Sequence, residues 1–315
     1  MSFSPQTIGR LSALITVLLW TSFIIVARAS ASHVLLPLDI ACTRILGASM
    51  VLLPWAWWLM REARQKGERM GSLWGLSPLP LRPTVQAGFF GGLMFALLVY
   101  VGFFYAPAGH ASVLLPGSLP LWTSLLMWIF LREQIGMNRA IGLVLIVAGD
   151  LLVGGLSLLK AFEGGNVWVG DVLFMSASMC WSAYSVTVRR FGLDAVRATM
   201  AITAFALTTL VPVYLVLVLL GVLPSHFSQA SWTEILLQVT FQGVGSVAIS
   251  GISFTQMIRS FGPVKSTMIT ALVPGLSALG AVVLLGEPMS WNLAAGLVLV
   301  TCGILFGVRQ AMVRP

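Results

Sequence analysis

Ten apolar runs, each long enough to cross a lipid bilayer as a helix, account for most of this sequence. Spanning the hydrocarbon core takes about 20 helical residues, and most of the runs lack the alternating pattern of barrel strands. Only helices and closed barrels satisfy their backbone hydrogen bonds in lipid. The sequence therefore predicts an all-α polytopic membrane protein with ten transmembrane helices, at 9–29, 37–60, 84–106, 110–131, 139–159, 168–190, 198–221, 233–258, 263–285 and 291–309.

Charged residues are scarce in this chain. They make up 9% of the 315 residues, whereas hydrophobic residues make up 58%; an ordinary soluble domain carries about 25% charged residues. This difference excludes a soluble enzyme, a disordered chain and a nucleic-acid-binding domain. The sequence also contains no glycine-rich phosphate loop, no metal-binding cluster and no serine nucleophile motif. We therefore expect no enzymatic activity, no cofactor and no bound metal.

The first apolar run ends in a pattern that imitates a signal-peptide cleavage site. Arg10 precedes an apolar stretch, and Ala29-Ser30-Ala31 follows it. The stretch is long for a signal peptide, and its pattern recurs in the second half of the chain. We therefore expect the run to be retained as the first membrane helix.

The positive charges indicate the orientation of the chain. If the N-terminus is cytoplasmic, only Arg28 and Lys160 fall outside, and Arg44 falls within the second helix. Cytoplasmic loops of membrane proteins are enriched in Lys and Arg, so this distribution predicts that both termini are cytoplasmic. The other fifteen of the eighteen basic residues fall inside: Arg10, Arg61, Arg64, Lys66, Arg69, Arg82, Arg132, Arg139, Arg189, Arg190, Arg197, Arg259, Lys265, Arg309 and Arg314.

The two halves of the sequence resemble each other. Single residues and short motifs recur in the same order, at an offset of 161 residues early in each half and 154 later. Such self-similarity predicts a duplicated architecture, with two five-helix repeats over residues 1–160 and 161–315 in one membrane unit. The matching pairs are Trp20 and Trp181, Arg28 and Arg189, Pro120 and Pro274, Glu133 and Glu287, and Gly142 and Gly296.

An odd number of helices in each repeat places the two repeats in opposite orientations in the membrane. Glu133 is then predicted at the cytoplasmic face and Glu287 at the external face, where each could cap a helix or act in gating. Inverted repeats are typical of secondary transporters, because exchanging the conformations of two similar halves opens a central site to alternate sides. The alternative is a duplicated membrane scaffold without transport.

The order and duplication of these motifs resemble the EamA-type carriers of the drug/metabolite transporter superfamily, over nearly the whole chain. The motifs are the tryptophans of helices 1 and 6, Arg44 early in helix 2, the proline and later glutamate of helices 4 and 9, and the Gly-Leu-Val-Leu runs of helices 5 and 10. The resemblance implies a bacterial inner-membrane carrier, often a metabolite or amino-acid exporter. It also implies a cavity lined by helices 1–4 and 6–9, with helices 5 and 10 outside it.

Arg44 is the principal candidate for substrate recognition. An arginine within the membrane is unfavourable by several kcal/mol unless it faces water or a partner. Its guanidinium group could bind a substrate carboxylate through two parallel hydrogen bonds. The alternatives are an ion pair with Asp39 and hydrogen bonds to carbonyl groups at a broken helix end.

Further candidate substrate-binding residues are proline, aromatic or polar side chains inside the predicted helices. Proline removes a backbone donor and disturbs the turn before it, and freed carbonyl groups at membrane depth are tolerated where they line a cavity. A packing kink and simple core packing are the alternatives for the prolines and the aromatic residues. An aromatic-walled cavity suits an amphipathic organic solute better than a bare ion. The candidates are Trp20, Tyr100, Pro116, Pro120, Trp181, Tyr184, Gln242 and Pro274.

Two titratable residues have open roles. His110 is predicted at the external turn between helices 3 and 4, as a proton-responsive gate or a solvated loop residue. Asp150 lies in helix 5, where the equivalent residue of the second repeat is Ile304. It could carry a coupling proton or make a local polar contact.

Together these features predict a secondary transporter that exports a small polar or amphipathic metabolite, such as an amino acid, by alternating access. A lipid-handling scramblase, a passive channel and a non-transport scaffold are the alternatives. The expected partners are a small-molecule substrate, membrane lipids and, for coupled transport, protons, but not nucleic acid. A monomer is the simplest assumption, and a dimer through the glycine faces of helices 5 and 10 is the alternative.

Overall fold

A computed structural model of the protein describes residues 5–65, 71–160, 165–270 and 272–311. Lys66, Arg69 and Arg314, which the charge distribution includes, lie outside these residues. The described part contains no β-strand, only an isolated bridge between Ser72 and Ser77, so the prediction of an all-α chain is confirmed. We number the principal helices α1 (Pro5–Ser30), α2 (Pro37–Gln65), α3 (Leu81–Tyr105), α4 (Ala108–Leu131), α5 (Met137–Leu159), α6 (Val167–Phe191), α7 (Ala195–Leu219), α8 (Trp232–Phe261), α9 (Pro263–Ile269 and Leu272–Leu285) and α10 (Trp291–Ala311).

By length and composition, eight of the described helices could cross a membrane, namely α1 to α5 and α7 to α9. Outside this set are α6, which has 25 residues, and α10, whose apolar part is the shorter Trp291–Phe306. The chain is therefore a multi-pass membrane protein, and the count of ten spans stays a prediction.

The outer surface of the bundle is apolar, and polar side chains join helices inside it. Ser118 Oγ donates a hydrogen bond to Ser178 Oγ over 2.9 Å, and Thr123 Oγ1 donates to Ser182 Oγ over 3.1 Å, which joins α4 to α6. Interhelical hydroxyl bonds of this kind stabilise helices against each other in lipid. The exposed apolar residues include Leu18, Val144, Val216, Leu219, Val283 and Val298.

The helix contacts between the two halves are symmetric. Helix α1 packs on α8 and α9, as the equivalent α6 packs on α3 and α4. Helix α2 packs on α7 and α8, as α7 packs on α2 and α3, while α4 meets α9 and α5 meets α10. Exchanging the five helices of one half for those of the other leaves this set of contacts unchanged. The two halves therefore enclose a common centre between α1–α4 and α6–α9.

Glycines allow α5 and α10 to touch each other away from that centre. A Cβ atom on Gly149 would lie 2.7 Å from the carbonyl oxygen of Gly296, and one on Gly303 would lie 2.5 Å from that of Gly142. Only glycine permits such an approach. The two glycine faces thus contact each other within the chain.

Helix α4 is irregular at its prolines, and a π-helical segment interrupts α8 as well. Pro116 lies in the π-helical segment Val113–Gly117, and Pro120 lies at the start of the α-helical segment that follows Ser118. In α8, residues Gln238–Ile249 are π-helical. Such segments widen a helix locally and are frequent at functional sites. Both adjoin the centre of the bundle.

Candidate functional site

A narrow cavity lies between the two halves, and its empty space, including the part open to solvent, is about 440 Å³. A second space of about 390 Å³ adjoins it and shares Arg44, Trp181 and Ser246. Together the two spaces are lined from α1 to α4 and from α6 to α9, the arrangement that the family resemblance implies. The lining of the first is Trp20, Phe23, Ile24, Arg44, Phe95, Leu115, Pro116, Leu119, Trp181, Ser246, Ser250 and Val273.

Arg44 lies where the two spaces meet, and aromatic rings surround its charge. The guanidinium carbon is 5.3 Å from the centre of the Phe23 ring, 5.9 Å from that of Phe95 and 5.7 Å from that of Tyr100. The residue is only 6% exposed. Cation–π contacts of this kind contribute about 2 kcal/mol when desolvated, but they leave the N–H donors of the guanidinium group unused.

Asp39 is not the partner of Arg44, so the ion pair that the sequence left open between them is wrong. The buried Asp39 carboxylate accepts hydrogen bonds from the backbone N–H groups of Leu36 and His226, at 3.0 and 2.9 Å, and from the Tyr214 hydroxyl. It joins the start of α2 to the segment before α8. Within the described residues, no carboxylate forms an ion pair with Arg44.

Tyr100 connects Arg44 to Gln242 on α8. Arginine has only donors, so the Tyr100 oxygen accepts from Arg44 over 3.3 Å and its hydrogen goes to Gln242 Oε1 over 3.0 Å. In the part of the chain that the structure describes, the buried amide nitrogen of Gln242 then has no acceptor, and neither does the indole nitrogen of Trp181. The surroundings of Arg44 are therefore rich in donors without an acceptor among the described groups.

The tryptophans of the two halves meet at the cavity. The ring centres of Trp20 and Trp181 are 5.8 Å apart in an edge-to-face arrangement, and Trp181 also lies 4.6 Å from Phe95. Tyr184 lies 5.1 Å from Trp181, and its hydroxyl is 2.7 Å from Thr255 Oγ1. It therefore supports the wall from behind. Edge-to-face pairs hold their rings in fixed orientations, which makes this a defined aromatic wall.

The candidate prolines occupy different places. Pro116 lines the cavity, whereas Pro120 and Pro274 are buried but outside the lining. A Cβ atom on Gly117 would lie 3.8 Å from Pro274 Cγ, so α4 and α9 meet beside the cavity at their prolines.

His110 lies away from the cavity, at the start of α4. Its Nδ1 is 2.8 Å from Asp171 Oδ1 on α6, and Ser157 donates to the other oxygen of the same carboxylate. The His110 side chain is 15% exposed. It is therefore a partly buried residue that joins α4 to α6, and the solvated loop histidine is wrong.

Asp150 lies outside the cavity, on α5, and is 6% exposed. Neither of its buried carboxylate oxygens has a hydrogen-bond partner among the described residues. The local polar contact that the sequence left open is therefore wrong.

Sequence reasoning missed several cavity residues. Phe23 follows Trp20 by three positions on α1, and Ser246 and Ser250 follow Gln242 by four and eight on α8. Residues three or four apart share a helix face, so this spacing was the available signal. Phe95 offered no such signal, because the residues that its ring contacts, Arg44 and Trp181, are on other helices.

Glu287 ties helix ends together at one end of the bundle, which we call the Glu287 end. Its carboxylate lies 3.0 Å from Arg28 Nε and accepts from the backbone N–H groups of Ala108 and Gly109, each at 3.1 Å. Arg28 also donates to the Phe103 carbonyl over 2.7 Å. A carboxylate at a helix N-terminus is favoured by the helix dipole, here that of α4.

The same end holds three further carboxylates near helix starts. Asp39 and Asp171 make the bonds given above, and Glu234 accepts from the backbone N–H of Leu35 over 3.0 Å. The sequence could not show which loops these acids reach. The four carboxylates join the connections around α1–α2, α3–α4 and α7–α8 into one network of contacts.

At the opposite end, which we call the Glu133 end, the described residues show no carboxylate network like that of the Glu287 end. Glu133 follows α4, whose 24 residues place it roughly 36 Å from the Glu287 end at 1.5 Å per residue. Glu133 and Arg189, the repeat equivalents of Glu287 and Arg28, are both exposed, and the described contacts include none between them. Glu133 lies 3.9 Å from Arg139. An exposed ion pair joins Arg259 to Asp194 over 2.7 Å.

Comparison with known proteins agrees with this architecture. The sequence model described as the EamA-like transporter family matches the chain twice, over residues 7–155 and 168–309. The crystal structure of another protein superposes on this chain with a TM-score of 0.59 at 21% sequence identity. The match covers 96% of this chain and 97% of the other, and it shows that the two share a fold.

The similar curated proteins are named transporters. The uncharacterized transporter YvbV of Bacillus subtilis is 24% identical over 67% of this chain, and the match spans 66% of its own length, just under two thirds. The uncharacterized transporter YyaM of the same organism is 26% identical over 70% of this chain and 71% of its own. An uncharacterized transporter of Archaeoglobus fulgidus is 26% identical over 62% of each chain. With its two matched repeats, this chain belongs to the EamA-like transporter family.

Proposed function

We propose that this protein is a secondary transporter that exports a small polar or amphipathic metabolite, such as an amino acid, by alternating access. The observation that carries the proposal is the cavity between the two halves, with Arg44 at its centre. A buried guanidinium group without a carboxylate partner is suited to bind an anionic group of a solute. Of the residues that the sequence indicates, Arg44, Trp20, Pro116 and Trp181 line the cavity and form the proposed substrate-binding set. Tyr100, Tyr184 and Gln242 support this set from behind, and His110, Pro120 and Pro274 lie outside the lining.

Alternating access rests on the difference between the two ends of the bundle. The Arg28–Glu287 contact closes one end, while the equivalent Arg189 and Glu133 are exposed at the other. In an inverted repeat the two halves exchange conformations. The alternate state would then release Glu287 and tie Glu133. The contact between His110 and Asp171 lies at the same end of the bundle, and we expect it to break when that end opens.

The orientation of the protein follows from its charges. We place it in the bacterial inner membrane with both termini and the Glu133 end in the cytoplasm, because Lys and Arg predominate in cytoplasmic segments. The inverted repeats comprise residues 1–160 and 161–315, with ten spans in a monomer. Membrane lipids surround the bundle, and coupling to protons is a further part of this proposal.

The test is uptake of a labelled amino-acid panel into proteoliposomes that contain the purified protein, with and without a proton gradient. We expect saturable flux of at least one solute, reduced at least about tenfold by Arg44→Gln, since a charge-assisted contact contributes about 1.5–3 kcal/mol. Arg61→Gln is the matched control, because Arg61 lies on the same helix and is exposed. Flux that is unchanged by Arg44→Gln would remove Arg44 from the mechanism.

A scramblase is the second candidate, and one surface groove bears on it. A groove of about 800 Å³ lies between α3, α4 and α6, with Gln86, Thr187 and Arg190 among mostly apolar side chains such as Phe90 and Phe130. Scrambling requires a hydrophilic path for lipid headgroups, and this groove is mainly apolar. Rapid scrambling of labelled lipid without saturable solute flux would nevertheless overturn the transporter proposal.

A further inference from the structure

We propose that the central cavity selects an amphipathic organic anion, a carboxylate without an ammonium group, over a zwitterionic amino acid. The inference rests on the proposed function and narrows its substrate class. It follows from the donors and acceptors around Arg44, from the absence of acidic residues in the lining, and from the aromatic wall.

The lining of the two spaces contains one charged residue, Arg44, and no aspartate or glutamate. The buried carboxylates of the described residues lie elsewhere. Asp39, Asp171 and Glu234 are bonded at the Glu287 end, and Asp150 lies on α5, which lines neither space. A substrate ammonium group would therefore enter a cavity that already holds a positive charge and offers no counter-charge. Like charges at short range in a desolvated site disfavour binding strongly.

Donors that have no acceptor among the described residues lie in the lining of the cavity and directly behind it. The described side chains take one hydrogen bond from the Arg44 guanidinium group, at the Tyr100 hydroxyl, out of five N–H donors. Among the described residues, no acceptor lies within reach of the indole nitrogen of Trp181, a lining residue, or of the amide nitrogen of Gln242, which lies behind the lining at Tyr100. With its oxygen accepting from Arg44 and its hydrogen donated to Gln242 Oε1, the Tyr100 hydroxyl orients the Gln242 amide so that its nitrogen points away from Tyr100. These donors match the acceptor oxygens of a carboxylate.

The rest of the lining is suited to an apolar body. Trp20, Phe23, Phe95 and Trp181 form aromatic walls, and Leu115 and Leu119 add aliphatic surface from α4. Only Ser246 and Ser250 contribute hydroxyl groups to the first space. An organic anion can place its charged group at Arg44 and its apolar or aromatic body against these walls. A zwitterion can also place its carboxylate at Arg44, but its ammonium group must then leave water for apolar surroundings.

Two matched sets of small molecules test this selectivity. The first is hydrocinnamate, phenylalanine and phenethylamine, which share a phenyl body and carry a carboxylate, both charges or an ammonium group. The second is caproate, norleucine and pentylamine on an aliphatic body. Equilibrium binding of labelled hydrocinnamate and caproate to the full-length protein in nanodiscs, with the others as competitors, ranks the three head groups directly.

We expect the carboxylate of at least one set to bind about tenfold or more tightly than its amino acid, and the amine to compete least, since one unpaired buried charge is worth a tenfold change or more. Arg44→Gln should remove this preference, Arg44→Lys should retain part of it, and Arg61→Gln should leave it unchanged. Tighter binding of phenylalanine or norleucine, or binding of neither carboxylate, would overturn the anion selectivity.

The same protein in proteoliposomes separates this outcome from failure of the proposed function. Saturable amino-acid flux with no preference for carboxylates would support the transporter function but contradict the anion selectivity. Lipid scrambling without flux of any solute would contradict the proposed transporter function itself.

Discussion

Arg28 Nε lies 3.0 Å from Glu287 Oε1, across 259 residues of sequence, and this ion pair joins the end of α1 to the residue that caps α4. The repeat equivalents, Arg189 and Glu133, are exposed at the other end of the bundle. One structure thus contains a formed and an unformed version of the same contact. The two versions give an internal control for what the contact does.

Removing the formed contact should destabilise the protein more than removing the unformed one. Glu287→Ala leaves the N–H groups of Ala108 and Gly109 without their acceptor and Arg28 without its partner. We expect a loss of at least about 1–3 kcal/mol in the free energy of unfolding, the penalty for unsatisfied donors. Thermal unfolding of the purified protein in detergent measures it.

Glu133→Ala is the control for that experiment, because Glu133 is exposed and its only described ion-pair contact is 3.9 Å long. We expect a change within about 0.5 kcal/mol, as for an ordinary surface position. Equal losses from the two variants would contradict the difference between the ends on which the alternating-access proposal rests.

The hydropathy of the sequence predicts the helices closely, because lipid leaves few alternatives to a continuous helix. The hydrogen-bond partners of individual side chains are less predictable from the sequence. Asp39 precedes Arg44 by five residues, yet it bonds the His226 backbone on a distant segment, and Arg44 turns to Tyr100. Helical spacing finds residues that share one face, such as Phe23 beside Trp20. It cannot find Phe95, which reaches the same charge from α3, or the loops that Glu234 and Glu287 join.

The Tyr100 hydroxyl should couple Arg44 and Gln242 energetically. Tyr100→Phe removes the acceptor of Arg44 and the donor of Gln242, which leaves the whole Gln242 amide unsatisfied. We expect a loss of about 1–3 kcal/mol in the free energy of unfolding. Gln242→Leu in the same background should restore part of it, because the double variant buries no amide. A double-mutant cycle measures this coupling, and strictly additive losses would show that the chain from Arg44 to Gln242 does not act as a unit.

The backbones of α2 and α8 touch beside Arg44 at Gly243. A Cβ atom there would lie 2.9 Å from the carbonyl oxygen of Arg44 and 2.8 Å from Gly47 Cα, backbone atoms that cannot move independently of α2. We expect Gly243→Ala to displace Arg44 and to lower the free energy of unfolding by about 1–3 kcal/mol. The affinity for the probe carboxylates, hydrocinnamate and caproate, should fall as well. Gly245→Ala is the matched control in the same π-helical segment, since its Cβ atom would meet only ordinary contacts at 3.8 Å and beyond. Similar losses from both variants would show that the segment, and not this contact, is sensitive.

Asp150 and Asp171 are both buried carboxylates, but their surroundings differ. Asp171 is bonded to His110 and Ser157, whereas neither oxygen of Asp150 has a hydrogen-bond partner within the described ranges. A buried polar group is unfavourable when it is unsatisfied, so Asp150→Asn should leave the thermal stability unchanged or raise it. Asp171→Asn should lower stability by about 1–3 kcal/mol, because a charged acceptor is lost. Thermal unfolding of the two variants side by side tests this. A loss from Asp150→Asn as large as that from Asp171→Asn would mean that the Asp150 carboxylate makes a stabilising contact in the membrane.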